Sequence, residues 1–187
     1  MKLEHDVIPS ITDIKKLKVA VRTVSPFILL NNCNIANLGN LVNYGHKHNH
    51  RIFVNVENIV GLYITSDSLR LLKKVYGVDG IYTTSKHTAR RASKVGIPTV
   101  LRVFLIDTTS LSKSLSSDIR DLNLLGLDLM PSHYAVRYID RFKDITGLNS
   151  NFVTGGFIDC PEAMERAFDS GFNAICTSDQ KLWKYLS

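Results

Sequence analysis

Apolar and polar positions along this chain follow two alternating rhythms. Short β-rich runs occur at Val7-Ile8, Phe27 to Leu30, Ile52-Phe53-Val54, Gly80-Ile81-Tyr82, Thr99 to Ile106, Leu127-Asp128-Leu129, Phe152-Val153 and Ala174-Ile175-Cys176. Between them, apolar residues recur at intervals of three or four: Leu17 and Val21; Leu38, Leu41 and Val42; Leu69, Leu72 and Val75; Ala89, Ala92 and Val95; Ala163, Ala167 and Phe168. The first rhythm is that of buried strands, the second that of amphipathic helices.

Strands that alternate with helices must be parallel, because each crossover returns the chain to the same end of the sheet. Eight such units in a chain of 187 residues predict an α/β fold, a compact TIM-type (β/α)8 barrel filling residues 1–187 as one domain. At about 23 residues per unit this is shorter than the ~200 to 250 usual for the fold, so some helices must be short. Helix 1 and the region after Asp107 are the candidates. Gly77, Gly96, Gly126, Gly147 and Gly171 each precede a strand and suit helix C-caps, whereas Ser66-Asp67, Ser85, Asp159 with Pro161, and Ser178-Asp179 suit N-caps.

Composition narrows the class. Hydrophobic residues make up 44% and charged residues 21%, the make-up of an ordinary globular domain. Cys33, Cys160 and Cys176 are three in number and widely spaced, which offers neither a disulfide framework nor a zinc site. No apolar run reaches the ~18 residues of a membrane span, and residues 1–9 carry no signal-like segment. The expectation is a cytoplasmic protein with no membrane partner, no metal and no cofactor. The net charge of +6 is compatible with a polyanionic partner.

In this type of barrel ligands meet the loops after each strand, and phosphate commonly docks after strands 7 and 8. Those loops read Thr154-Gly155-Gly156-Phe157 and Cys176-Thr177-Ser178-Asp179. Gly155 and Gly156 let backbone amides approach an anion, while Thr177, Ser178 and the start of a last helix offer hydroxyls and a positive dipole end. The bland alternative is a tight turn and an ordinary cap. Arg102 interrupts an apolar strand and must be paired or face a polar cavity; Asp128 and Glu57 are the available carboxylates. Glu57, Asp107 and Asp128 stand at or near strand ends, where barrel enzymes place acid–base groups. Lys86 is the lysine nearest a strand end, but its place after Ser85 suits the start of helix 4, which argues against Schiff-base chemistry. His46-Lys47-His48-Asn49-His50 resembles a metal tract, yet it precedes strand 3 and reads better as a solvated loop. Trp183 reads as packing against the barrel wall.

Basic residues form two groups: His87, Arg90, Arg91 and Lys94 on helix 4, and Lys15, Lys16, Lys18 and Arg22 on helix 1 with Lys181 and Lys184 on helix 8. Each group is a candidate polyanion surface or a plain solvated face. No arrangement of aromatics marks an RNA-stacking platform.

With these segments in place, the chain resembles the glycerol uptake operon antiterminator family, regulators that respond to glycerol 3-phosphate. The match includes Val7 to Ile11, Phe53 to Leu62, Asp79-Gly80-Ile81 with Thr84-Ser85-Lys86, and Arg102 to Thr108. It continues through Leu129-Met130-Pro131, Gly155 to Ile158, and Thr177-Ser178 with Leu182-Trp183. The resemblance implies a barrel that binds glycerol 3-phosphate or a related small phosphorylated metabolite and acts on leader mRNA without catalysis. In that picture Gly155, Gly156, Thr177 and Ser178 hold the phosphate. Asn55, Glu57, Lys86, Arg102, Asp107 and Asp128 serve or support the glycerol end. The RNA contacts come from Lys15, Lys16, Lys18, Lys181 and Lys184, or from Arg90 and Arg91. Departures fall in strand 3, where the family reads His-x-Asp and a later acidic or amide residue before glycine but Asn55, Glu57 and Val60 stand here, and at Ser132, where the family has glycine. A phosphosugar isomerase, lyase or aldolase on the same barrel, and a relative that binds ligand without RNA, remain alternatives. Self-association is left open.

Overall fold

The structure, a computed structural model, describes residues 2–115, 119, 122–146 and 150–184. Along the chain come β1 (Asp6–Ile11), α1 (Leu17–Ala20), β2 (Phe27–Leu30), β3 (Cys33–Asn34), α2 (Ile35–Lys47), β4 (Arg51–Asn55) and β5 (Ile59–Val60). These are followed by α3 (Ser66–Lys74), β6 (Gly80–Thr83), α4 (Lys86–Val95), β7 (Thr99–Phe104), α5 (Thr108–Leu115), β8 (Gly126–Met130), α6 (Ser132–Thr146), β9 (Asn151–Gly155), α7 (Pro161–Asp169) and β10 (Ala174–Thr177). Eight strands form a closed parallel barrel in the order β1-β10-β9-β8-β7-β6-β4-β2, with β2 returning to β1. The (β/α)8 fold is therefore present, and all eight runs read from the sequence are its strands. The short β3–β5 ladder is a separate parallel pair outside the barrel that the apolar rhythm does not announce.

Strand residues alternate between two apolar layers, as the two-residue period requires. Val7, Ile28, Ile52, Val54, Ile81, Leu101 and Leu127 pack outward against helix residues such as Leu38, Val42, Leu69, Leu72 and Ala92. Ile8, Phe27, Leu29, Phe53, Tyr82, Val100 and Val153 fill the barrel itself. Space there is tight: a Cβ on Gly80 would lie 2.1 Å from the Phe53 ring. Gly80 thus clears room for the Phe27–Phe53 ring pair, whose centroids are 4.4 Å apart. Towards the C-terminal strand ends the inward positions turn polar, with Ser10, Asn55, Arg102 and Asp128 all buried. That gradient positions the site, because buried polar groups survive only where partners or a ligand satisfy them.

Several local expectations change. The apolar rhythm marks no helix between the sixth and seventh strands, yet α6 is the longest helix described, 15 residues with Ser132, Ala135, Ile139 and Phe142 buried at three- or four-residue spacing. Only one of those four, Ala135, is aliphatic and small, and the intervening Tyr134, Val136 and Tyr138 blur the periodicity. The last helix is instead a single 3-10 turn, Leu182–Lys184. Helix 1 is short as expected: a 3-10 turn, Ile14–Lys16, runs into a four-residue helix. The eight-residue α5 follows Asp107. The cap of α3 is Thr65, one residue before Ser66, with its hydroxyl accepting from Ser68 N in a reciprocal capping box. Ser85 does cap α4, and Gly96 ends it in the left-handed conformation at φ 69°, whereas α7 follows Cys160 with no side-chain cap. Gly126 opens β8 rather than capping a helix, because a Cβ there would meet Asn151 O at 2.5 Å. Gly147 lies outside the described residues.

Candidate ligand cleft

At the C-terminal ends of β1, β7, β8, β9 and β10 lies a cleft of about 380 Å³, lined by Ser10, Thr12, Asn31, Arg102, Met130, Gly156 to Asp159 and Cys176 to Asp179. Its floor is an ion pair. Parallel register sets Arg102 opposite Asp128, so both side chains point inward, and Arg102 Nε donates to Asp128 Oδ2 at 2.7 Å. The pair is almost fully buried, with side-chain exposures of 9% and 0%. Burial by itself disfavours the Arg102 cation, but the neighbouring Asp128 carboxylate more than reverses this and the net direction is upward. The guanidinium also lies over the Tyr82 ring, 5.3 Å from its centroid. Burial, then the Asp128 charge, pushes the Cys176 thiol up to about 12. A thiol held neutral in this way is inert as a nucleophile at neutral pH. Asp128 Oδ1, the Tyr82 hydroxyl and Asn55 Oδ1 are buried without a protein partner, a reserve of hydrogen-bonding capacity under the cleft.

The walls come from the loops after β9 and β10. Gly156 has φ 74° and Phe157 φ 57°, so two successive residues adopt the left-handed region that non-glycine residues seldom occupy. Phe157 keeps this conformation although the residue is 84% exposed, its ring making an edge contact with His133 at a centroid distance of 6.0 Å. A Cβ on Gly156 would lie 3.0 Å from Met130 Cε, and one on Gly155 would lie 2.4 Å from Cys176 O. The two glycines therefore do different work: Gly155 lets β9 approach β10, and Gly156 keeps the cleft wall open. Thr177 clips the loops together, its hydroxyl donating to Ile158 O and accepting from Asp179 N, each at 3.2 Å. Trp183 is buried and its indole N–H donates to Thr177 O at 2.9 Å, which fixes the same corner. Ser178 is exposed on the cleft surface. Among the described residues the chain after β10 makes a 3-10 turn and no α-helix, so no helix dipole is directed at the cleft from there. Anion-binding capacity rests on backbone amides, the Ser178 hydroxyl and the Arg102 charge.

The remaining residues singled out from the sequence are dispersed. Asn55 Nδ2 donates at 2.8 Å to Asn31 Oδ1, which makes Asn55 a support behind the cleft-lining Asn31. Glu57 is not beside Arg102; it accepts from the Thr83 hydroxyl and from Thr84 N at 3.3 Å, bracing the junction of β6 and α4. Lys86 is the first residue of α4 and does not line the cleft. Asp107 is exposed and accepts from Ser110 N at 2.6 Å at the start of α5. That backbone bond, the larger influence, holds its carboxyl below the usual range. Five polar cleft residues were not marked as ligand contacts from the sequence: Ser10, Thr12, Asn31, Asp159 and Asp179. The two aspartates sit in the very loops that supply Gly156 and Ser178, where a capping role hid them. The histidine tract ends α2 and forms the turn into β4, and its histidines are held by partners: His46 pairs with Asp79 at 2.7 Å, His48 Nδ1 donates to Tyr44 O, and His50 is buried with its ring nitrogens 3.1 Å from the Ser25 and Val21 carbonyls. No metal-binding group of three or more His, Cys, Asp or Glu occurs among the described residues.

The family model for the glycerol-3-phosphate responsive antiterminator matches residues 7–183. The chain belongs to that family. Two solved structures are similar over nearly their whole lengths. One is a glycerol uptake operon antiterminator regulatory protein from Listeria monocytogenes, 20% identical, with a TM-score of 0.85 and coverage of 95% of this chain and 94% of that one. The other is a glycerol uptake operon antiterminator-related protein from Thermotoga maritima, 22% identical, with a TM-score of 0.84 and coverage of 98% and 99%. The tryptophan synthase α-subunit of Pyrococcus furiosus shares the barrel at 16% identity and a TM-score of 0.74, covering 97% of this chain and 91% of its own. No curated protein sequence matches the chain. The antiterminator family is a regulatory one, although the barrel is also that of enzymes. No described helix is long and apolar enough to cross a membrane.

Proposed function

We propose that this antiterminator-family chain binds glycerol 3-phosphate, or a closely related small phosphorylated metabolite, in the cleft above Arg102, and that occupancy controls its binding to the leader mRNA of glycerol-utilisation genes. The observation that carries the reading is the cleft itself: Gly156, Ser178 and a buried, permanently charged arginine converge where this barrel type holds phosphate. Phosphate meets the amides of the Gly156-Phe157 turn and the amide and hydroxyl of Ser178, with Thr177 setting the loop geometry. Ligand hydroxyls meet Ser10, Thr12 and Asn31, with Asp159 and Asp179 as further acceptors. Of the departures, Asn55 stands behind the cleft-lining Asn31 while Glu57, Val60 and Ser132 lie outside the lining, which leaves the phosphate end intact. The role is regulatory in this reading: among the described lining residues there is no lysine or histidine and the cysteine is held as a neutral thiol, which leaves only the Asp159 and Asp179 carboxylates as acid–base groups on the walls.

The test is calorimetric titration with glycerol 3-phosphate, glycerol and inorganic phosphate, paired with RNA titration in the presence and absence of the ligand that binds. Saturable binding of glycerol 3-phosphate that exceeds binding of glycerol or phosphate alone, together with a ligand-dependent RNA affinity, is the expected result. Binding of none of the three compounds removes the metabolite reading. Turnover of the bound compound replaces it with the isomerase or lyase alternative.

A further inference from the structure

The sequence offers two basic groups, and the structure separates them sharply. From Ser66 to Val95 the chain carries seven Lys or Arg against two Asp, a net +5 out of the total +6, and these residues span α3 and α4, which pack on each other. Arg70, Lys73, Lys74, Arg90 and Lys94 are exposed there. Lys73 reaches across to the carbonyls of Val95 and Gly96, so the two helices present one continuous surface. Beside it, His87, Arg90, Arg91, Ser93 and Lys94 of α4 together with Leu122 line a groove of about 350 Å³. By contrast, Lys15, Lys16 and Lys18 sit on a 3-10 turn and a four-residue helix beside Asp13, and the turn bearing Lys184 is no helix 8 to extend them.

The face also carries an aromatic. Tyr63, just before the α3 cap, is 85% exposed, and Arg91 Nη1 donates to the carbonyl of the adjacent Ile64 at 3.2 Å. Dense positive charge beside an exposed ring suits nucleic acid better than an acidic protein: cations take the phosphates and the ring takes a base. A hydrogen-bonded connection links this face to the cleft. Asn31 lines the cleft and accepts from Asn55 and Asn58, at 2.8 and 2.9 Å, on either side of Glu57. Glu57 in turn accepts from the Thr83 hydroxyl. That hydroxyl accepts from Ser85 N at 3.1 Å, and Ser85 caps α4.

We propose that RNA docks on the α3–α4 face, with Arg90 and Lys94 on its phosphates and Tyr63 stacked on a base, and that Glu57 is the positioning residue tying this face to the ligand cleft. The inference rests on the RNA reading above and assigns it a place. The experiment titrates a short hairpin RNA, with and without glycerol 3-phosphate, at about 50 and about 200 mM salt. The proteins are the parent, Arg90→Glu/Lys94→Glu, Tyr63→Ala, Lys15→Glu/Lys18→Glu and Glu57→Gln, each checked for an unchanged circular-dichroism melt and metabolite affinity. The α4 variant is expected to bind at least about tenfold more weakly and to lower the salt slope by about two. Tyr63→Ala is expected to lose about tenfold, and the Lys15/Lys18 variant to stay within about twofold of the parent. Glu57→Gln is expected to bind metabolite and RNA separately but to lose the effect of one on the other.

A parent that fails to bind RNA overturns the functional reading and this face with it. A parent that binds RNA while the α4 variant binds equally well, or while the Lys15/Lys18 variant is the one that fails, overturns the face alone. Binding of polyglutamate in place of RNA would assign the face to an acidic protein and refute the proposal. A full metabolite effect in Glu57→Gln refutes the tie.

Discussion

Replacing Arg102 with methionine removes the cation bonded to Asp128 while leaving much of the side-chain volume. Asp128 is wholly buried, and one of its oxygens already has no protein partner, so the variant strands a carboxylate in the barrel. Breaking a buried pair in this way costs about 3 to 5 kcal/mol. For a chain of this size that corresponds to a fall in melting temperature of about 6 to 20 °C. The pair as a whole is a different matter, because two ions were desolvated to build it and apolar replacements of similar volume are often neutral. Asp128→Leu alone leaves Arg102 uncompensated, although the cleft beside it gives the guanidinium some access to water, so a smaller loss is expected. The double variant Arg102→Met/Asp128→Leu should recover most of the loss of the first. Urea unfolding of the parent, both singles and the double closes the cycle, and a coupling of at least about 2 kcal/mol is the expected sum. Additive single effects, or a loss below about 1 kcal/mol for Arg102→Met, would refute a desolvated, mutually dependent pair. Arg102→Met and the double variant should lose metabolite binding, because the cleft loses its cation, whereas Asp128→Leu leaves that cation in place.

Two further outcomes follow from the geometry. Gly156→Val places a β-branched residue at φ 74° against Met130 and should weaken metabolite binding at least about tenfold, for about 1 to 3 kcal/mol of backbone strain; binding equal to the parent by calorimetry would move the anion site elsewhere. Stability should fall at alkaline pH, because Cys176 and Cys33 are raised from 9.0 to about 12 and about 11 by burial. Above pH 9 the unfolded chain releases protons that the folded chain keeps, so each thiol removes up to about 1.4 kcal/mol per pH unit until its folded value is reached. Denaturant unfolding at pH 8, 9 and 10 checks this, and a decline no shallower in Cys33→Ala/Cys176→Ala than in the parent would sink it.

Much of the barrel is written in local pattern. A period of two broken by a period near 3.6, repeated eight times, leaves few topologies in which every strand buries both faces, and the run from Phe27 to Leu30 coincides with β2 because both of its faces must be apolar. Arg102 was legible for the same reason: a charge within such a run needs a partner, and the register makes that partner Asp128. The loops that wall the cleft were legible because glycines and hydroxyls cluster in the last two units.

What local pattern could not decide depends on distances between segments far apart in sequence. Glu57 and Asp128 are equal carboxylates on paper, and only the barrel places one under Arg102 and the other on Thr83 and Thr84. The stretch after β10 reads as a helix start, yet Trp183 folds back to donate to Thr177 O, which suits a 3-10 turn and withdraws the dipole from the cleft. Two basic stretches carry similar charge as text. Packing of α3 on α4 joins one into a single face, while the other stays on short turns beside carboxylates. Sequence determined which residues must be buried, capped or paired, because those demands arise within a few residues. Tertiary structure chose the partners, because side-chain contact falls off within a few ångströms and only the folded chain sets those separations.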